Sequence, residues 1–256
     1  MTSRSMTGTN GHMADHSSRR FALVTGLGLL AMALLAPFAQ FGVLQSLIVP
    51  ADAAATTANI LASAGVFRAA IAAFLIIAIL DIVIAWGLYI LLRPTNASLA
   101  LLVAWLRVAY AAVFAYALVN LLDVAQLLQN ASATALSPVQ IQAQVASSIA
   151  SFNNGWDLAL AIFGLHLVGL GALLFKSVDF PKVLGALVAV AGVGYLADSF
   201  GTILVPDYTL TISVFTFIGE ALLIVWLFKL AIRGSHPPDS HRVIGSPVLA
   251  TEAVAS

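Results

Sequence analysis

Four ionisable residues lie deep inside apolar stretches of this chain: Asp81, Arg107, His166 and Glu220. A carboxylate and a guanidinium can neutralise one another, a carboxylate or imidazole can carry a proton, and a layer of such groups can hold an ion stripped of its water. Together they form a candidate midplane polar layer. Polar stripes extend two of the stretches. Ser213 and Thr216 precede Glu220 by seven and four residues and so share its helix face. Tyr195, Asp198 and Thr202 recur at a similar spacing. Arg68, Asn120, Asp123 and Asp157, with Asp198, fall nearer the ends of their stretches and form a candidate outer vestibule. Asp157 and His166 are nine residues apart, which points them to opposite sides of one helix and argues against a single large cavity.

The remaining chemistry is narrow. The chain has no cysteine, which excludes disulfides, thiolate metal sites and cysteine nucleophiles. No HExxH, no GxSxG and no histidine pair at metal spacing occurs, so no catalytic residue, metal or cofactor is expected. Gly192-Val193-Gly194 is not read as a nucleotide loop, because no strand precedes it. Eleven basic and eleven acidic residues cancel, and no field points to nucleic acid. The partner implied is the lipid bilayer, with a small molecule or ion as ligand; oligomeric state is not legible.

The elements that position these groups follow from composition. The 256 residues are 61% hydrophobic and 9% charged, with a mean hydropathy of +1.02. A soluble domain carries about 25% charged residues, so this chain could not cover its surface in water. A helix needs roughly 20 apolar residues to cross the hydrocarbon. Six stretches qualify: 21–44, 67–92, 99–122, 158–175, 183–205 and 210–230. None alternates as a barrel strand does. The fold class is all-α, a polytopic transmembrane bundle of six spans (residues 19–234), with disordered tails at 1–18 and 235–256.

Basic residues set the orientation. Arg4, Arg19 and Arg20 precede the first span, Arg93 follows the second, Lys176 and Lys182 lie between the fourth and fifth, and Lys229, Arg233 and Arg242 end the chain. The other loops have only Arg68 at an edge, which predicts both termini in the cytoplasm of a multi-pass protein. Ser18-Arg19-Arg20-Phe21 partly resembles a twin-arginine signal, but no small-residue cleavage site clearly follows and the span is read as uncleaved.

Two outer loops contain helix signals. Asp52 can cap a short helix through Ile60. Ser137, Pro138 and Gln140 form a capping box ahead of Val145, Ile149 and Phe152. Both read as short interfacial helices serving as a packing lid, the second lying flat on the membrane. Gly164, Gly169 and Gly171 face Gly185, Gly192 and Gly194 for close packing of the fourth and fifth spans. Trp156 reads as an interfacial anchor, and Trp86, Trp105 and Trp226 as packing residues.

Several blocks resemble a known family. They are Leu47-Ile48-Val49-Pro50-Ala51-Asp52; Phe67-Arg68, Asp81 and Leu91-Leu92-Arg93-Pro94; Phe163-Gly164-Leu165-His166 with Phe175-Lys176-Ser177; and Pro181-Lys182-Val183-Leu184-Gly185 through Gly192-Val193-Gly194-Tyr195-Leu196-Ala197-Asp198-Ser199. From Arg20 to Gly234 the chain resembles the domain-of-unknown-function 4386 family of bacterial integral membrane proteins. The resemblance implies a six-span membrane domain in a bacterial cytoplasmic (inner) membrane and no activity.

Three readings of function follow. The first is transport of a small solute or ion through the midplane layer. The second is a sensor, binding or scaffold protein whose buried charges lock the bundle. The third is a lipid-modifying enzyme, which needs a carboxylate within reach of His166.

Overall fold

The structure is a computed structural model and describes residues 8–205, 208 and 218–233. Helix α1 (Gly8–Pro37) runs until Pro37, which has no N–H to give the ladder; the backbone then passes through a π-helical segment, Phe38–Leu44, and a last short turn, Gln45–Leu47. Asp52 accepts from the Ala55 N–H at 2.8 Å and caps α2 (Ala53–Ala62). Then come α3 (Ala64–Leu92), α4 (Ala97–Gln129), capped by Asn96 on the Leu99 N–H at 2.9 Å, α5 (Pro138–Lys176), α6 (Lys182–Leu204) and α7 (Ile218–Arg233).

Among the described residues, five helical stretches are long and apolar enough to cross a membrane: Ser18–Leu47, Ala64–Leu92, Ala97–Gln129, Pro138–Lys176 and Lys182–Leu204. Apolar α7 closes the bundle. Consecutive long helices pack side by side in chain order, and α1 also packs on α7, so α1, α3, α4, α5, α6 and α7 form a ring. The bundle is all-α over the described residues, as its composition requires.

One end of the ring gathers the basic residues. Arg19 donates to the Arg233 carbonyl at 3.4 Å, and Phe21 packs edge-on to Trp86 near the Arg93 end of α3. Trp226 donates to the Asp179 carbonyl at 2.8 Å in the α5–α6 turn, with the Lys229 ammonium 3.7 Å above its ring. Among the described residues, every Lys and Arg except Arg68 and Arg107 belongs to this end.

Several expectations need correction. The amphipathic segment after Ser137 is not a separate interfacial helix. The capping box forms, with Gln140 N–H on Ser137 Oγ at 3.3 Å and Ser137 N–H on Gln140 Oε1 at 2.8 Å, but the helix it starts runs 39 residues without a break into the fourth span. Gly155 does not end it, because a Cβ there would lie 2.8 Å from the Ala117 Cβ of α4; the glycine serves close approach instead. At 1.5 Å per residue α5 is about 58 Å long, nearly twice the hydrocarbon thickness and so longer than one span requires. Helix α2 packs against α5.

The N-terminal stretch expected to be irregular is helical from Gly8. Ser213, Thr216 and the tail 235–256 lie outside the described residues.

The tryptophans exchange roles. Trp156 is not an interfacial anchor. Its ring lies 5.4 Å from both Phe74 and Phe114 and 5.5 Å from Phe152, inside an aromatic core. Trp86 and Trp105 are 53% and 64% exposed and face outward. Trp226, with its polar partners at the basic end, is the residue in an anchoring position.

The glycine seam between α5 and α6 is present in part. Gly164 abuts the Gly192 carbonyl, and Gly171 abuts Gly185, so that a Cβ at Gly171 would lie 2.5 Å from the Ala189 nitrogen. Gly169 instead faces Val103 on α4, where a Cβ would meet the side chain at 2.6 Å. Backbone cannot swing aside as a side chain can. Gly171→Ala should therefore cost about 1–3 kcal/mol, lowering the thermal midpoint of the purified protein in detergent. Gly65→Ala, where nothing lies within 4 Å, should leave it unchanged or raise it. Equal shifts from the two substitutions would contradict the seam.

Candidate functional site

The ring has a polar centre, and all six of its helices reach it. Met32 comes from α1, Asp81 from α3, Arg107 from α4, His166 from α5, Tyr195 from α6 and Glu220 from α7. Counted from the basic end, which in α1 is marked by Arg20, each lies about 10–13 residues along its helix, roughly 15–20 Å at 1.5 Å per residue. That is half the thickness of a bilayer's hydrocarbon core.

Arg107 is the hub. Its Nε and Nη2 donate to Asp81 Oδ1 at 2.8 and 2.7 Å. Its Nη1 reaches His166 Nε2 at 3.2 Å, and Nη2 also lies 3.9 Å from the Met32 sulfur. The Phe163 ring sits 5.5 Å from the guanidinium carbon and adds a cation–π contact. Asp81, Arg107 and His166 are all buried. The hairpin through Arg93 and Pro94 makes α3 and α4 neighbours, which places acid and base on facing sides.

The protonation of His166 follows from its partners. Nδ1 lies 2.8 Å from the Val103 carbonyl, which can only accept; Nε2 faces a guanidinium, which can only donate. The proton is therefore on Nδ1, and the ring is neutral with its lone pair given to Arg107. Among the described residues neither nitrogen meets a carboxylate.

On the far side of Phe163 the cluster continues. Tyr195 packs edge-on to that ring at 5.4 Å, and its hydroxyl and the Glu220 carboxylate are close enough to interact. Glu220 lies within Coulombic range of both Arg107 and Asp81. Asp81 Oδ2 and Glu220 Oε1 are buried and meet no donor among the described residues. Arg107 is the one basic side chain in this cluster of described residues, set against two carboxylates.

Tyr110 completes the layer and was not singled out from sequence. It is buried one turn beyond Arg107, its ring 4.8 Å from Phe163 and 5.9 Å from Phe114. The signal was available: Tyr110 and Phe163 stand three residues from Arg107 and His166, on the same faces. Met32 carried no such signal.

The outer groups are not brought together. Arg68 donates to Gln129 Oε1 at 2.7 Å, and Asn120 bonds back to the Ala117 carbonyl of its own helix at 3.1 Å. Asp123 is exposed on α4. Asp157 approaches Asp198 closely enough for the like charges to interact, and Tyr208 donates to Asp198 Oδ1 at 2.9 Å. The stripe on α6 divides: Tyr195 faces the centre, whereas Thr202 is exposed and bonds back to the Asp198 carbonyl at 3.0 Å.

Removing either member of the central pair leaves a buried charge uncompensated. Asp81→Ala and Arg107→Ala should each cost about 3–5 kcal/mol, seen as loss of thermal stability and of folded yield. The swap Asp81→Arg with Arg107→Asp should recover part of that loss; a swap no better than the singles would contradict a pairwise interaction.

Comparison with known proteins bears on the whole chain. Residues 24–230 match the model of the family described as Domain of unknown function (DUF4386). An uncharacterized protein of Archaeoglobus fulgidus is 35% identical over 154 residues, covering 60% of this chain and 78% of that protein. No solved structure matches.

Proposed function

The chain belongs to the DUF4386 family, and we propose that this multi-pass membrane protein moves a proton or a comparably small cation through the Arg107 cluster. One observation carries the reading: two carboxylates lie near one guanidinium, and each keeps a buried oxygen that meets no donor among the described residues. Asp81 is neutralised by Arg107 at 2.7 Å. Among the described residues Glu220 has the nearby Tyr195 hydroxyl and a more distant share of Arg107. An unpaired charge at this depth costs about 2.5–3.5 kcal/mol even on insertion scales, so a proton or cation accompanies Glu220 at rest. A group that holds such a companion only while shielded is suited to taking it up and giving it away.

The basic end of the ring faces the cytoplasm on this reading, by the positive-inside rule, and the Glu220 site exchanges with the two faces in turn. The Arg107–Asp81–His166 network, in which one guanidinium meets both an acid and an imidazole, favours a second reading. These groups hold the ring closed, and the first half of α5 with α2 forms a surface for a ligand or partner.

Purified protein in liposomes loaded with a pH-sensitive dye separates the two. Under an imposed potential the native chain should carry protons or, with Na⁺ or K⁺ as the test ion, the matching cation. Glu220→Gln should abolish the flux without lowering thermal stability, and Tyr195→Phe should slow it several-fold. No flux from the native protein, or full flux from Glu220→Gln, would overturn transport and leave the locked-bundle reading.

A further inference from the structure

At the end of the ring opposite the basic cluster, Arg68 is the one basic side chain among the described residues. It meets no carboxylate among the described residues. Its Nη2 donates to Gln129 Oε1 at 2.7 Å and reaches the Ala125 carbonyl at 3.4 Å. Holding the oxygen of Gln129 in this way leaves the amide nitrogen as a second donor beside the guanidinium. Both groups stand at the rim of a groove of about 280 Å³ between α2, α3 and α4, whose walls include Ile60, Leu61, Phe67 and Leu128. A charged, donor-rich rim thus adjoins an apolar trough.

Depth identifies what fits. Arg68 is 13 residues from Asp81 along α3, about 20 Å at 1.5 Å per residue. Half the hydrocarbon thickness is about 15 Å, so the guanidinium stands at the level of lipid headgroups with the trough beside it. We propose that this groove binds an anionic phospholipid, its phosphate held by Arg68 and Gln129 and part of an acyl chain lying along Ile60, Leu61 and Leu128. Basic pockets between membrane helices recognise headgroups in this way. A soluble anion would gain nothing from the apolar walls, and an apolar peptide would gain nothing from the guanidinium.

The test is native mass spectrometry of the delipidated full chain in detergent, titrated with dioleoylphosphatidylglycerol, with dioleoylphosphatidylcholine and with inorganic phosphate. Phosphatidylglycerol should form one tight adduct that phosphatidylcholine matches poorly and millimolar phosphate does not displace. Arg68→Gln should weaken that adduct about fivefold, and Arg68→Lys less. Leu61→Gln, on the apolar wall and half exposed in the free protein, gives an independent reading and should weaken it too. Equal binding by native and Arg68→Gln protein, equal affinity for the two lipids, displacement by phosphate, or a dimer peak in place of the adduct would each overturn the assignment.

Discussion

A guanidinium at half-membrane depth has to be satisfied by protein, because neither water nor lipid there will do it. Arg107 cannot shed its charge by losing a proton, so the bundle must supply acceptors within reach of its nitrogens. Asp81, His166, Met32 and the Phe163 face do so from three other helices. That requirement fixes the rotation of each helix about its own axis. Once α3, α4 and α5 are turned to bring these side chains inward, their opposite faces carry Ile82, Leu102, Trp105 and Leu165, all exposed to what surrounds the ring. The apolar outer surface and the polar centre are two results of the same rotation.

The hub also sets what each neighbour can do. His166 supplies a lone pair to Arg107 and a proton to the Val103 carbonyl, so both of its nitrogens are committed to structure. Asp81 gives one oxygen to two donors of the same guanidinium. Glu220 is the member whose charge is least answered. Of the four ionisable groups, Asp81, Arg107 and His166 are bonded directly to one another, and Glu220 stands beside them.

Much of this was legible from sequence, for identifiable reasons. Buried charges in apolar runs announce themselves, and a short hairpin through Arg93-Pro94 makes Asp81 and Arg107 neighbours on any reading. Capping at Asp52 and Ser137 depends on two or three adjacent residues and was readable locally. Failures came where the answer lay in another helix. Nothing near Asn153-Asn154-Gly155 says that the glycine is needed against Ala117 rather than as a helix end. Nothing in span four says that Trp156 meets Phe74 and Phe114 from two other helices. The Arg68 groove needs three elements at once, one of them a loop helix whose position only the fold gives.

The way the ring is held also bears on how it could open. Helices α5 and α6 approach backbone to backbone at Gly164–Gly192 and Gly171–Gly185, where even a methyl group has no room; such a seam moves as a unit or not at all. Helix α1 is different. Its ladder is broken at Pro37 and resumes as a π-helical segment, a feature that marks bends and functional hinges. Its contact with the hub is a thioether at 3.9 Å, weaker than the ion pair on the next helix. Helix α1 also packs against α7, which carries Glu220. Helix α7 is tied to α6 in the same backbone-close way at Gly219, where a Cβ would lie 2.8 Å from the Leu187 carbonyl carbon. At the α1–α7 contact, by contrast, a Cβ on Gly26 would sit an ordinary 3.4 Å from Leu227. A rearrangement that exposes Glu220 and keeps Arg107 satisfied therefore opens most readily between α1 and α7, where neither the ion pair nor a backbone-close glycine contact is broken.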